Sequence, residues 1–240
     1  MDDTTQDLNR TADHVGADAE QDLADARNPA TSPERLAALC ILGDERVAWR
    51  IARNQGAPPK VLAHLADHEN AEVRWGVGGN PTTPVEVLDG LARDKNSYVV
   101  AAVASNPRTP VDVLIELHEH TDDVDVMEQL AGNECTPSEV LEELASESDE
   151  WYVRSALARN PRTPTNVLKV LAAEDDIELR LDALDQLAQR VTTLDPRTRL
   201  AVELADEDGL TDDVWAQVDA ALPPEREPVR RTCSYDALSL

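Results

Sequence analysis

His64 and His68 stand four residues apart with Asp67 between them, the spacing at which two imidazoles on one helical face can share a metal ion. Metal chemistry needs more than that pair. No third ligand is identifiable, and the His-Glu-x-x-His order that would add a general base is missing. His118 and His120 are two apart, which on a helix turns them about 200° away from each other. The acidic runs Asp122-Asp123, Glu147 to Glu150 and Glu174 to Asp176 lack the oxygen spacing of a calcium loop. Cys40, Cys135 and Cys233 are widely scattered, so they suggest neither a disulfide framework nor a Cys-x-x-Cys metal site, and a reduced, intracellular setting is expected. There is no Gly-x-Ser-x-Gly nucleophile turn and no phosphate-cradling glycine loop. The sequence is therefore read as a non-enzyme with no metal and no cofactor.

The aromatic residues carry a sharper signal, because the chain has no Phe, four Trp and three Tyr. Apolar pairs at i, i+4 mark a core face at Val47/Ile51, Val73/Val77 and Val153/Leu157. Relative to the first member of each pair, Trp49 and Trp75 fall at +2 and Trp151 at −2, about 200° and 160° around an α-helix. All three are expected to face away from the core, Trp49 and Trp75 as one strip across consecutive repeats. Arg74, Arg154 and Arg180 each directly follow the core Val or Leu. Outward Trp beside Arg is the composition of a protein-binding hot spot, so Trp49, Trp75, Trp151, Arg74 and Arg154 are the candidate partner-binding residues. Two structural readings compete with this one. The indoles could cover a neighbouring repeat or the amino-terminal helix, and the arginines could form ion pairs along the stack.

A repeat must position these residues. Asn-Pro-Arg-Thr-Pro occurs at Asn106 to Pro110 and again at Asn160 to Pro164, with Asn80-Pro81-Thr82-Thr83-Pro84 as a close copy. Aligned on Asn28, Asn54, Asn80, Asn106, Asn133 and Asn160, the spacings are 26, 26, 26, 27 and 27 residues. Such a period predicts an all-α solenoid of about six two-helix units, each burying its apolar face against its neighbours. Leucines at 36, 62, 88, 114, 141 and 168, and again three residues later, define the core face of helix A. Thr83-Pro84-Val85-Glu86 and Thr136-Pro137-Ser138-Glu139 read as capping boxes that start it, with Thr as the cap and Pro at the first helical position. The Val47, Val73, Val99, Val126, Val153 and Leu179 column marks a short helix B, followed by small residues and the Asn turn. The turn asparagines are read as structural, their side chains tying up local backbone groups.

The pattern x-Asn-Pro-x-Thr-Pro, then Val-Leu-x-x-Leu-Ala, then Val-Arg-x-Ala, seen at Asn160 to Ala172 with Val153-Arg154-Ser155-Ala156 before it, resembles the leucine-rich repeat variant family. The resemblance implies a right-handed superhelix of alternating α- and 3₁₀-helices over about residues 28–187. It implies no particular function. Some members of that family carry a cysteine-rich iron–sulfur module, but the three cysteines here do not cluster, so no cluster is expected. Around the array, residues 1–27 read as an acidic, partly disordered extension with a capping helix within Asp13 to Arg27. Residues 188–222 read as a helical cap at Asp195 to Ala205 and Thr211 to Leu222, and residues 223–240 as a mobile tail without apolar periodicity.

Charge narrows the partners. The formal net charge is −26, with 48 acidic against 22 basic residues. Phosphate attraction dominates nucleic-acid affinity, so neither direct nucleic-acid binding nor an anionic membrane surface is expected. No secretory signal is read at Met1 to Leu8, and a cytoplasmic location is expected. The function expected is that of a non-catalytic scaffold that binds a protein or peptide along the helix B surface. The alternatives are an acidic nucleic-acid mimic that inhibits a DNA- or RNA-binding protein, and a helical-repeat DNA glycosylase-like enzyme.

Overall fold

The computed structural model describes residues 19–42, 44–190 and Ala216. Among residues 19–190 the described chain forms α-helices and no strand. They are α1 (Ala19–Arg27), α2 (Pro33–Leu42), α3 (Glu45–Ala52), α4 (Pro59–Leu65), α5 (Ala71–Gly78), α6 (Val85–Leu91), α7 (Ser97–Ser105), α8 (Val111–His120), α9 (Val124–Gly132), α10 (Ser138–Glu147), α11 (Trp151–Arg159), α12 (Thr165–Leu171) and α13 (Ile177–Arg190). The even-numbered helices are the A helices of the repeat and the odd-numbered ones from α3 are the B helices. The chain divides into two compact units, the boundary falling between Val113 and Leu114 inside α8. Helices α1, α3, α5 and α7 stack in order in the first unit, and α9, α11 and α13 in the second.

The apolar columns build the core of each unit. Leu36, Leu39, Leu62, Leu65, Leu88 and Leu91 are buried from the A helices of the first unit, as are Leu141, Leu144, Leu168 and Leu171 in the second. Val47/Ile51, Val73/Val77 and Val99/Val103 are buried from its B helices, and Val126/Leu130 and Val153/Leu157 from those of the second. The small residues that follow, Ala52, Gly78, Ala104, Ala131 and Ala158, are buried too, letting the B backbones come close.

The helix starts differ between the two kinds of helix. Four B helices open on a short polar cap: Asp44 accepts from the Val47 N–H at 3.1 Å, Asn70 from Glu72 at 2.6 Å, Asn96 from Tyr98 at 3.0 Å and Asp123 from Asp125 at 3.0 Å, whereas α11 starts at Glu150 without a side-chain cap bond. The A helices correct the capping-box expectation. Pro58, Pro84, Pro137 and Pro164 occupy the N-cap without a side-chain bond. The preceding threonine points the other way. Thr83 Oγ1 donates to the Val77 carbonyl at 2.6 Å, Thr109 to Val103 at 2.5 Å, Thr136 to Leu130 at 2.6 Å and Thr163 to Leu157 at 2.7 Å. It closes the end of the preceding B helix, where carbonyls lack intrahelical partners.

The turn asparagines do more than satisfy local groups. Asn80 Nδ2 donates to the Ala52 carbonyl at 2.8 Å and to the Asn54 carbonyl at 3.0 Å, both one repeat earlier, while its Oδ1 accepts the Thr82 N–H at 2.9 Å. Asn54 repeats this towards Ala26 and Asn28, Asn106 towards Gly78 and Asn80, and Asn160 towards Ala131 and Asn133. These side chains are buried and form a ladder between successive turns within each unit. At the Asn54 turn the preceding turn lies so near that a Cβ on Gly56 would stand 2.3 Å from the Pro29 carbonyl oxygen, which is why glycine occupies that place.

Three further expectations change. Both helices of every described repeat are α-helical, where the resemblance implied alternation with 3₁₀. The last B helix, α13, runs for 14 residues because Gln186 to Arg190 continue with good helix formers and no Asn-Pro stop. Cys135 is disulfide-bonded, against the expectation of unpaired thiols, since linear spacing does not report spatial pairing. Cys40 is free, and burial pushes its thiol up to about 11. The expected helices at Asp195 to Ala205 and, apart from Ala216, Thr211 to Leu222, the tail from residue 223 and the first 18 residues lie outside the described residues. No helix among the described residues is long and apolar enough to cross a membrane.

Candidate functional site

The B helices of the first unit carry an aromatic and cationic strip. Trp49 is half-buried on α3, and Trp75, one repeat later on α5, is 39 % exposed. The Arg53 guanidinium lies 4.9 Å from the centroid of the Trp49 ring and 5.4 Å from that of Trp75, so it bridges the two indoles. Arg50 lies over Trp49 at 4.9 Å. Both arginines are exposed, and among the described residues neither makes an ion pair or a hydrogen bond through its side chain. A cation over an indole face is attracted by the ring quadrupole and fixes the orientation of both partners.

Local sequence makes this arrangement possible. Arg53 follows Trp49 by four residues, placing both on the same side of the helix end. The bridge to Trp75 depends on Gly76, where a Cβ would stand 3.1 Å from Arg53 Cγ and 3.0 Å from the Ala52 Cβ. Glycine leaves room for the arginine stem to cross towards the next repeat. Sequence reading missed Arg50 and Arg53. The i, i+4 relation of Trp49 and Arg53 was the available signal.

The arginines singled out from the sequence serve the stack instead. Arg74 is buried, and its guanidinium forms a two-pronged pair with Asp94, Nε to Oδ2 at 2.6 Å and Nη2 to Oδ1 at 3.0 Å. Its third nitrogen donates to the His68 and Glu69 carbonyls at 2.7 and 2.9 Å. Arg74 is thus spent inside the molecule and cannot serve as a surface anchor. Burial opposes ionisation of Asp94, but the Arg74 hydrogen bond and the Asn96 N–H outweigh it and hold its carboxyl below the usual range. The same pair raises the Arg74 pKa, chiefly through the Asp94 hydrogen bond. A shallow groove of about 630 Å³ opens beside this pair, lined by Asp67, Glu69, Glu86, Gly90, Arg93 and Lys95 among others.

In the second unit Trp151 is 38 % exposed at the start of α11, edge-on to Tyr152 with ring centroids 5.4 Å apart. Its Nε1 donates to Asp176 Oδ2 at 3.3 Å, and Asp176 Oδ1 accepts the Leu179 N–H at 3.0 Å. Trp151 therefore also ties one repeat to the N-cap of the next. Arg154 is half-buried, paired with Glu174. Arg180 is buried and donates to the Glu174 carbonyl at 3.2 Å.

The histidines fall into structural positions. His64 is exposed, while His68 Nδ1 accepts the Asn70 N–H at 3.1 Å. His118 is buried with Nε2 2.9 Å from Glu143, and His120 Nδ1 lies 2.8 Å from the Glu116 carbonyl. Among the described residues no three His, Cys, Asp or Glu side chains are grouped to hold a metal ion.

Fold and surface together define an all-α repeat protein of two-helix units joined by Asn turns, with an aromatic–cationic strip on its B helices. The chain is similar to a solved structure described as "a leucine-rich repeat variant with a novel repetitive protein structural motif", at 26 % sequence identity over 77 % of this chain and 80 % of that one, with a TM-score of 0.46. No protein-family model matches the chain, and no curated protein does.

Proposed function

We propose that the protein is a non-catalytic interaction scaffold that binds a protein or peptide partner on its B-helix surface. The observation that carries this reading is the Trp49–Arg53–Trp75 strip: two indoles and two guanidiniums held against one another at the surface, with the guanidinium edges left over. Packing needs do not account for exposed arginines brought to a half-buried indole and an exposed one, whereas binding hot spots are built from these side chains. In the second unit, exposed Trp151 and Tyr152 offer a smaller aromatic patch.

The test compares proteins retained from a crude extract of the source cells by the wild-type chain, by Trp75→Ala and by the Trp49→Ala/Trp75→Ala double variant, with retained proteins identified by mass spectrometry. Far-ultraviolet circular dichroism checks that each variant keeps its helices. The reading expects a defined partner held by the wild type and lost from both folded variants. An unchanged set on the folded double variant, or no protein held above the blank, would remove it. Trp75→Ala keeps the test decisive should the double variant unfold, because its indole is already exposed.

A further inference from the structure

We infer that the Trp49–Arg53–Trp75 surface takes a short peptide segment of a partner protein in which one or two Asp or Glu side chains stand beside apolar ones. The inference rests on the scaffold reading above and supplies the chemistry of its partner. Stacking on an indole occupies the face of a guanidinium and leaves its N–H edge directed outward, where it can grip a carboxylate through two parallel bonds. In a chain with 48 acidic residues, arginines find carboxylates readily: Arg35, Arg46, Arg74, Arg154 and Arg159 all do so. Arg50 and Arg53 do not, among the described residues, and lie against indoles instead. The surrounding helices supply the reason. The acids of α3 and α5 are confined to the first turn, as Glu45 and Glu72, and α7 has none, while on α1, which packs on the other side of α3, Asp22 and Asp25 are taken by Arg35 and Glu20 stands in the first turn.

The positions that Arg50 holds on α3 and Arg53 at its C-cap are taken by Gly76 on α5 and Gly79 at its C-cap, and by Ala102 and Ser105 on α7. Nothing but its own Trp75 carbonyl, at 3.6 Å, would meet a Cβ on Gly79. Beyond the indoles the surface is therefore low, with room for an extended main chain and its apolar side chains. Net charge decides between a peptide and a nucleic acid. A nucleic acid brings a phosphate charge about every 1.7 Å of duplex axis, or about every 3.4 Å per strand, and meets the repulsion of a −26 chain along its whole length. One or two carboxylates seated on the guanidiniums are shielded from distant acids, because the screening length is about 8 Å at physiological salt.

The experiment selects binders from a random displayed-peptide library on the immobilised full-length chain. Fluorescent peptides made from the consensus are then titrated, alongside copies with Asp and Glu replaced by Asn and Gln. The expected result is enrichment of Asp or Glu among apolar residues, with neutral copies at least about tenfold weaker. Arg53→Gln should produce a similar loss for the acidic peptide, little for the neutral copy, and affinity should fall as salt rises. Enriched sequences that are basic or lack acids, yet are lost on Trp75→Ala, would overturn the carboxylate chemistry and leave the scaffold standing. No enrichment at all, while Trp-dependent capture of a protein succeeds, would overturn the peptide inference alone. A single-stranded oligonucleotide bound more tightly than any selected peptide would overturn it in favour of nucleic acid.

Discussion

Replacing Asn80 by Ala should be among the most damaging single changes that leave the apolar core untouched. Asn80 is buried and makes four bonds: Nδ2 to the Ala52 and Asn54 carbonyls at 2.8 and 3.0 Å, and Oδ1 from the Thr82 N–H and Oγ1 at 2.9 and 2.8 Å. A protein hydrogen bond contributes about 1 kcal/mol net, and a buried group left without a partner costs about 1–3 kcal/mol. Two carbonyls and an amide lose their partner together, so the expected loss is about 3–5 kcal/mol after partial relaxation. Asn28 is the internal control. Its side chain is exposed and, among the described residues, accepts only the Ala30 N–H, at 3.0 Å, so Asn28→Ala should cost less than about 1 kcal/mol.

Urea unfolding followed by far-ultraviolet circular dichroism reads both values, provided the slope is unchanged between variants. Repeat arrays can lose two-state behaviour, so native-state hydrogen exchange at Val77, Asn80 and Thr83 should accompany it. Asn80→Asp sharpens the test, since it keeps shape and acceptor but replaces the donor facing two carbonyls. It should be at least as harmful as Ala. An Asn80→Ala variant as stable as Asn28→Ala, or a wild-type-like Asn80→Asp, would refute the claim that the ladder joins the repeats.

Asp94→Asn should cost about 2–4 kcal/mol in urea unfolding, because Arg74 stays buried with only its carbonyl contacts and a neutral acceptor. With its folded pKa lowered, Asp94 contributes stability present above its unfolded value of about 3.9 and lost as pH falls through the folded one. The wild type should therefore lose this stability below about pH 4, and Asp94→Asn should flatten that limb of a pH–stability titration. Thr109→Val, which removes the 2.5 Å bond to the Val103 carbonyl but keeps the shape, should cost about 1–2 kcal/mol in chemical unfolding. A value near zero would show that water replaces the hydroxyl. Amides of α7 should exchange more slowly than those of α9, since α7 buries Val99, Ala101, Ala102, Val103 and Ala104 while α9 buries only Val126, Leu130 and Ala131. Equal protection would show that Glu128 and Gln129 do not loosen α9.

The residues that were legible and those that were not differ in the range of the forces they report. Leucine and valine columns could be read because burial follows a helical period visible within one repeat. The asparagines were visible as a column, yet their bonds reach back 26 to 29 residues, a distance that no local motif encodes. Thr83 and Thr136 matched a capping box, but the turn folds each back onto a carbonyl six residues earlier, and proximity in space decided the bond. Arg74 looked like a surface residue by column until Asp94, 20 residues on, claimed it. The columns that repeat with little change, Leu, Asn and Thr, are those each unit needs to stack on the next, and so they carry no information about a partner. The informative column is the one that changes. The place held by Trp49 and Trp75 becomes Ala101, Glu128 and Ser155 in later repeats, although the fold it sits on stays the same. A requirement of stacking would recur with the stack, whereas a requirement of binding needs to appear only where the partner touches. The aromatic–cationic strip is confined to two consecutive repeats, as a local contact surface would be.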